Sequence, residues 1–154
     1  MKKTLCTLFL AGIALAAFPL DKKDFDKIVD FSLDIKGISK IVQDPRFDPG
    51  AKGRVVVFDG SVVNILVMSS GTEEFTAELE IAGGEWEAAD SISLFRVLVY
   101  AIGPQFEQRI NGSAPDILRR SRLLIAGVIN NVYTDEADGK TYAVIEAYHI
   151  RVIP

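Results

Sequence analysis

Arg109, Arg119, Arg120 and Arg122 form the basic cluster of this chain. Guanidinium groups gathered in that way suit bidentate contact with phosphate or carboxylate. Near a helix end they equally suit the negative pole of the macrodipole. The opposite charge gathers in Glu73, Glu74, Glu78, Glu80, Glu85, Glu87 and Asp90. That stretch reads either as a cation site or as a solvated sheet face, with Arg96 opposite Glu78 or Glu80 on the next strand. Asp135, Glu136 and Asp138 precede Gly139, but the next carboxylate, Glu146, lies outside calcium-loop spacing, so a hairpin turn is expected there. His149 is the only histidine, and Ser69 and Ser70 have no base to activate them. No glycine-rich phosphate loop, zinc pattern or nucleophile elbow is present. The expected chemistry is binding, with no catalytic residue, no metal site and no cofactor.

The elements that must position these groups are mostly strands. Residues 20–31 are polar, with Phe25, Ile28 and Val29 at helical spacing, and read as a tether or a short helix. Ser32 is the expected N-cap of a helix over residues 33–43, stopped by Asp44-Pro45. Residues 54–67 predict a first strand that bends at Gly60, because a glycine inside a strand marks a bulge or a corner. Ser69-Ser70-Gly71 turns the chain, and Phe75, Ala77, Leu79 and Ile81 alternate with polar residues as a second strand. Gly83-Gly84 is expected to close it, with residues 85–90 an acidic linker holding Trp86. Residues 92–100 predict a third strand ended by Gly103-Pro104. Helical pieces over 105–121, broken at Asn111-Gly112, lead to strands at 123–133 and 141–153 around an Asp138-Gly139 turn.

The segment 38–60 (ISKIVQDPRFDPGAKGRVVVFDG) resembles the lead-in of many bacterial OB-fold proteins: a short helix, Asp-Pro, an aromatic, a glycine, and a strand ending in glycine. The segment 123–152 (LLIAGVINNVYTDEADGKTYAVIEAYHIRV) resembles the closing hairpin of the anticodon-binding-like OB class. The resemblance spans about residues 38–153 and implies a mainly β fold. The expected architecture is a five-stranded Greek-key OB-fold barrel, with a short N-terminal helix and a helical connection between strands three and four. A leader joined to such a barrel is also similar to the exported bacterial OB-fold proteins.

The leader is expected from Lys2 and Lys3, the apolar run over residues 4–18, and Ala14-Leu15-Ala16. These are the three parts of a secretory signal, too short to span a bilayer as a permanent anchor. Cleavage near Ala16 or Ala17 implies a signal peptide over 1–17, a tether or short helix over 18–37 and the OB-fold domain over 38–154. The product is expected in the periplasm or outside the cell, with no transmembrane segment after cleavage. Cys6 leaves with the signal, so disulfides and thiol chemistry leave with it. Without Lys2 and Lys3, the 17 basic residues fall to 15 against 21 acidic ones, a net charge of −6. Negative charge opposes binding to phosphate backbones.

Glu78 and Glu80, and the acidic last loop, occupy places where nucleic-acid binders of this fold offer aromatic and basic side chains. The first expectation is therefore an exported binding module whose partner is an envelope protein, peptide or glycan. Its expected ligand-binding residues are Ser70, Arg96, Tyr100, Tyr133 and Lys140, on strands two and three and the flanking loops. The resemblance supports a second expectation, a single-stranded nucleic-acid binder using Arg109, Arg119, Arg120 and Arg122. A third is a stress protein that binds a metal or small ligand.

Overall fold

The computed structural model describes residues 28–49, 55–71 and 75–154. The expected leader over 1–17, and residues 20–27 of the expected tether, lie outside the described residues. In chain order the elements are β1 (Val29–Asp30), α1 (Ile35–Ile41), β2 (Val55–Ser69), β3 (Thr76–Ala88), β4 (Ser91–Ile102), α2 (Pro104–Asn111), β5 (Arg122–Thr134) and β6 (Thr141–Ile153). The sheet order is β1-β2-β3-β4-β6-β5, and β2 also pairs with β5. That pairing closes β2 to β6 into a ring, the five-stranded OB-fold barrel that the sequence predicts. Its pairs are antiparallel except β4 with β6.

Closure depends on β2 serving two neighbours. Val55 to Ser61 pair with β5, whereas Ser61 to Ser69 pair with β3. Gly60 sits at the handover, where a Cβ would lie 2.5 Å from Ile81 Cγ2. Only a residue without a side chain lets the strands cross so closely. Inward residues such as Leu79, Ile81, Val97, Val99, Ile125 and Ile145 fill the barrel, and no described polar or charged residue is buried. Alternation along each strand thus sends apolar side chains in and leaves the polar ones on the outer surface.

The helix begins later than expected. Asp34, not Ser32, is the N-cap, and its Oδ1 accepts from the Gly37 N–H at 2.7 Å. Ser32 instead donates its own N–H to Asp30 Oδ1, which holds it in a local turn. Ile35, Ile38 and Val42 are buried in the core, and β1 joins the sheet beside β2. The packed body therefore includes residues ahead of position 38.

The expected linker over residues 85–90 is the far end of a long β3–β4 hairpin. Register runs unbroken from Thr76 opposite Ile102 to Trp86 opposite Ile92. The Gly83-Gly84 pair that suggested a strand end has a packing role, since a Cβ on Gly83 would lie 2.6 Å from Ile35 Cγ2. Glycine here admits α1 against the hairpin. Lys36 on α1 pairs with Glu85 and lies 6.0 Å from the centre of the Phe95 ring.

Candidate functional site

The outer face of β3 and β4 is set by strand parity. With Leu79, Ile81, Val97 and Val99 turned inward, Glu78, Glu80, Leu98 and Tyr100 must face out. The register places Glu78 beside Tyr100 and Glu80 beside Leu98. Parallel pairing then sets Val144 of β6 next to Leu98, and Glu146 next to Tyr100. Across β6, Tyr142 faces Tyr133 and Val144 faces Asn131 of β5. The four strands curve around a groove of about 820 Å³. Leu98 and Val144 belong to its apolar lining, and Tyr100, Tyr133, Tyr142, Asn130 and Asn131 supply aromatic and amide groups.

One ion pair and two tyrosine hydroxyl bonds engage the acidic groups in and beside the groove. Arg96 Nη1 donates to Glu80 Oε1 at 2.9 Å, and the Tyr100 hydroxyl donates to Glu78 Oε2 at 2.7 Å. Tyr100 has its pKa raised, first by that hydrogen bond to Glu78 and then by burial. The Tyr142 hydroxyl donates to Asp138 Oδ2 at 3.2 Å. Burial, followed by this bond, pushes the Tyr142 pKa up, while the nearby Arg96 charge opposes the rise. Among the described lining residues, Arg96 is the one cation.

Beyond the groove the same outer face continues along the β3–β4 hairpin. Trp86 is 69% exposed and Leu94 62% exposed, and they share parity with Glu80 and Arg96 respectively. This apolar strip extends the groove past the barrel.

Three of the five residues expected at the site, Arg96, Tyr100 and Tyr133, line the groove. Ser70 and Lys140 do not. Ser70 is exposed after β2, and Lys140 Nζ reaches Asp138 Oδ2 at 3.6 Å at the hairpin tip. Asp135 and Asp138 close that tip, with Asp135 Oδ1 accepting from the Ala137 N–H and Asp138 Oδ1 from the Lys140 N–H. The hairpin turn expected from Asp138-Gly139 is thus what the acidic loop forms. No group of three or more metal-ligating side chains occurs among the described residues. His149 is exposed opposite Ala126, away from the groove lining.

The arginine cluster is dispersed by the fold. Arg109 grips Asp116 through Nε and Nη2 at 2.7–3.2 Å and donates from Nη1 to the Ile150 carbonyl. Arg119 donates to the Val63 carbonyl and to Asn64 Oδ1, beside a register shift in β2. Arg122 pairs with Asp59 across the β2–β5 ladder. Arg120 occupies a left-handed turn, φ 73°, and its N–H donates to the Val62 carbonyl. Arg119 and Arg122 thus brace β2 where it meets β5, Arg109 ties the loop after α2 to β6, and none of the four lines the groove.

Sequence reasoning missed Leu98, Tyr142, Val144, Asn130 and Asn131. Parity alone would have found Leu98, which shares its face with the chosen Arg96 and Tyr100. The β5–β6 contributions depend on two register shifts, after Ala126 and after Ile129. Gly127 is a local signal for the first shift, and no comparable residue marks the second.

No protein-family pattern and no curated protein matches the chain. Several solved structures resemble it. A small single-stranded DNA-binding protein from Streptomyces coelicolor is 17% identical, with a TM-score of 0.48 over 64% of this chain and 93% of its own. The single-stranded DNA-binding protein from Thermus aquaticus is 18% identical, with a TM-score of 0.43 over 65% of this chain and 49% of its own. A Plasmodium falciparum protein complexed with single-stranded DNA is 13% identical, with a TM-score of 0.41 over 64% of this chain and 91% of its own. At these identities the likeness is one of fold. The names run against the envelope protein, peptide or glycan partner expected from the sequence, and that expectation is withdrawn.

Proposed function

We propose that this protein is a non-catalytic binding module for single-stranded nucleic acid, held in the groove between β3–β4 and the β5–β6 hairpin. The observation that carries this reading is the aromatic and amide lining of the groove over an apolar floor. Unpaired bases stack on such rings with little regard to sequence, and amide groups meet their edges. The likeness of residues 123–152 to the closing hairpin of the anticodon-binding-like class supports the same reading. From the expected residues, Arg96, Tyr100 and Tyr133 are carried into this proposal, joined by Tyr142.

The groove's charge dictates how binding works. Arg96 is already paired with Glu80, and Glu78 and Glu80 repel phosphates, so the bases enter and the backbone stays toward solvent. Affinity then comes from stacking more than from counterion release. With about one phosphate neutralised, a single strand should lose only about 3-fold in affinity between 50 and 200 mM salt. Fluorescence anisotropy with a labelled oligothymidylate tests this. Tyr133→Ala and Tyr142→Ala should each weaken binding by roughly 5- to 150-fold, the range of one lost stacking contact. No binding at low salt, or full affinity in both variants, rejects the proposal.

We also propose that the protein is exported, on the strength of Lys2, Lys3 and the apolar run over 4–18. Sequencing the N-terminus of protein recovered from the source cells tests it. A mature start near residue 17 or 18 is the expected result, and an intact Met1 refutes cleavage.

A further inference from the structure

The Arg96–Glu80 pair has hydrogen-bonding capacity left over. Glu80 lines the groove and its Oε1 accepts from Arg96 Nη1 at 2.9 Å, while its Oε2 has no bond to any described residue. A carboxylate accepts about four hydrogen bonds and a guanidinium donates five, so one bond between them exhausts neither. With Oε1 next to the guanidinium and Oε2 beyond it, the pair can offer two acceptors followed by a donor. Both remain partly exposed, with 46% of the Arg96 side chain and 25% of the Glu80 side chain reachable by solvent.

That array has one complement among the common bases. The Watson–Crick edge of guanine carries two adjacent donors, N1–H and N2–H, followed by the O6 acceptor. Cytosine carries acceptor, acceptor, donor, the same order as the protein pair, so it meets like with like. Thymine and adenine each offer a single donor flanked by acceptors or by carbon. The protein pair therefore imitates the edge of cytosine. The neighbours suit a base held there: Leu98 lies beside Glu80 in the register, and Tyr142 lines the same groove.

We infer that the groove selects guanine, reading its Watson–Crick edge with Glu80 as acceptor and Arg96 as donor. This inference rests on the proposal that the groove holds single-stranded nucleic acid. Glu78, with Oε2 occupied by Tyr100, lies two residues along the strand and adds an acceptor where the array is already acceptor-rich.

The test is competition for the full-length protein among 12-nucleotide oligothymidylates carrying a central guanine, cytosine, adenine or inosine. The guanine strand should bind roughly 5- to 100-fold more tightly than the all-thymine strand, the range of a good bidentate base contact. Inosine lacks the N2 amino group and should lose most of that preference. A strand carrying 7-deazaguanine keeps the edge and should retain it. In Glu80→Gln an acceptor becomes a donor, and the guanine-to-thymine ratio should fall to within 2-fold. The ratio needs only residual binding, and the inosine arm needs no variant. Equal binding of all strands overturns the inference and leaves the single-strand reading standing. A guanine preference that survives inosine or Glu80→Gln overturns it too. No binding by any strand removes both.

Discussion

Gly127→Ala should destabilise the barrel through its backbone. Gly127 is buried in β5 at the register shift where pairing passes from Ala126–His149 to Gly127–Ala147, skipping Tyr148. A Cβ there would lie 2.3 Å from the Glu146 carbonyl oxygen, 2.9 Å from Ile145 Cγ2 and 3.1 Å from Ala147 Cα. Two of those three atoms are main chain, so no rotamer change relieves the contact. β5 and β6 would have to part by about 1 Å to restore ordinary van der Waals distance, within a hairpin paired on both sides of the shift. Overpacking in a well-packed interior costs about 1–3 kcal/mol, and a main-chain clash belongs in the upper half of that range. About 2–3 kcal/mol lowers the Tm of a chain this size by about 4–12 °C. Thermal melts followed by far-ultraviolet circular dichroism measure it. The control is Gly84→Ala, whose nearest atom is the Ile92 Cδ1 methyl at 3.1 Å on the exposed hairpin, and it should shift Tm by less than about 2 °C. A Gly127→Ala protein melting together with wild type would refute the reasoning. Because Asn130 bonds Glu146 at 3.3 Å on the groove side, the same variant should also bind oligonucleotides less tightly.

Other consequences are open to test. Arg109→Met removes the grip on Asp116 and the bond to the Ile150 carbonyl, together worth about 2–3 kcal/mol. Its Tm should fall while oligothymidylate affinity stays within 2-fold, and the reverse outcome would make Arg109 a nucleic-acid contact. The Arg109 guanidinium holds the Asp116 carboxyl below its usual range. A depressed folded-state pKa contributes stability that is complete above the unfolded value, about 3.9, and is lost as pH falls through the lower folded value. The Tm gap between wild type and Asp116→Asn should therefore narrow as pH drops below about 4, and a constant gap rejects this. Arg120 sits at φ 73° in a turn where glycine is unstrained. Arg120→Gly relieves about 1–2 kcal/mol of left-handed strain and loses part of it to unfolded-chain entropy. A net Tm rise of about 1–4 °C is expected by calorimetry, and a fall would show the side chain to be structural.

The alternation of Ala77, Leu79 and Ile81, the glycine at position 60 and the Asp138-Gly139 turn were legible because they act locally. A two-residue period has one buried face, a strand corner needs a missing side chain, and a tight turn needs its own residues. Those signals determined a five-stranded barrel, and the want of a sequence partner for His149 or Ser70 is what raised the expectation of binding. Solvation hid the β3–β4 hairpin. Past the barrel both of its faces meet water, so no apolar period marks Glu85 to Ser93 as strand. Tertiary structure alone decided which charges share a site. Arg109, Arg119 and Arg122 are close in sequence, yet each is drawn to a different carboxylate or carbonyl. The Glu80–Arg96 pair of the β3–β4 hairpin, expected from the sequence, meets Tyr133 and Tyr142 only because β4 and β6 pair in parallel. Such pairing joins distant segments through a closed ring of hydrogen bonds, and its register depends on the whole barrel.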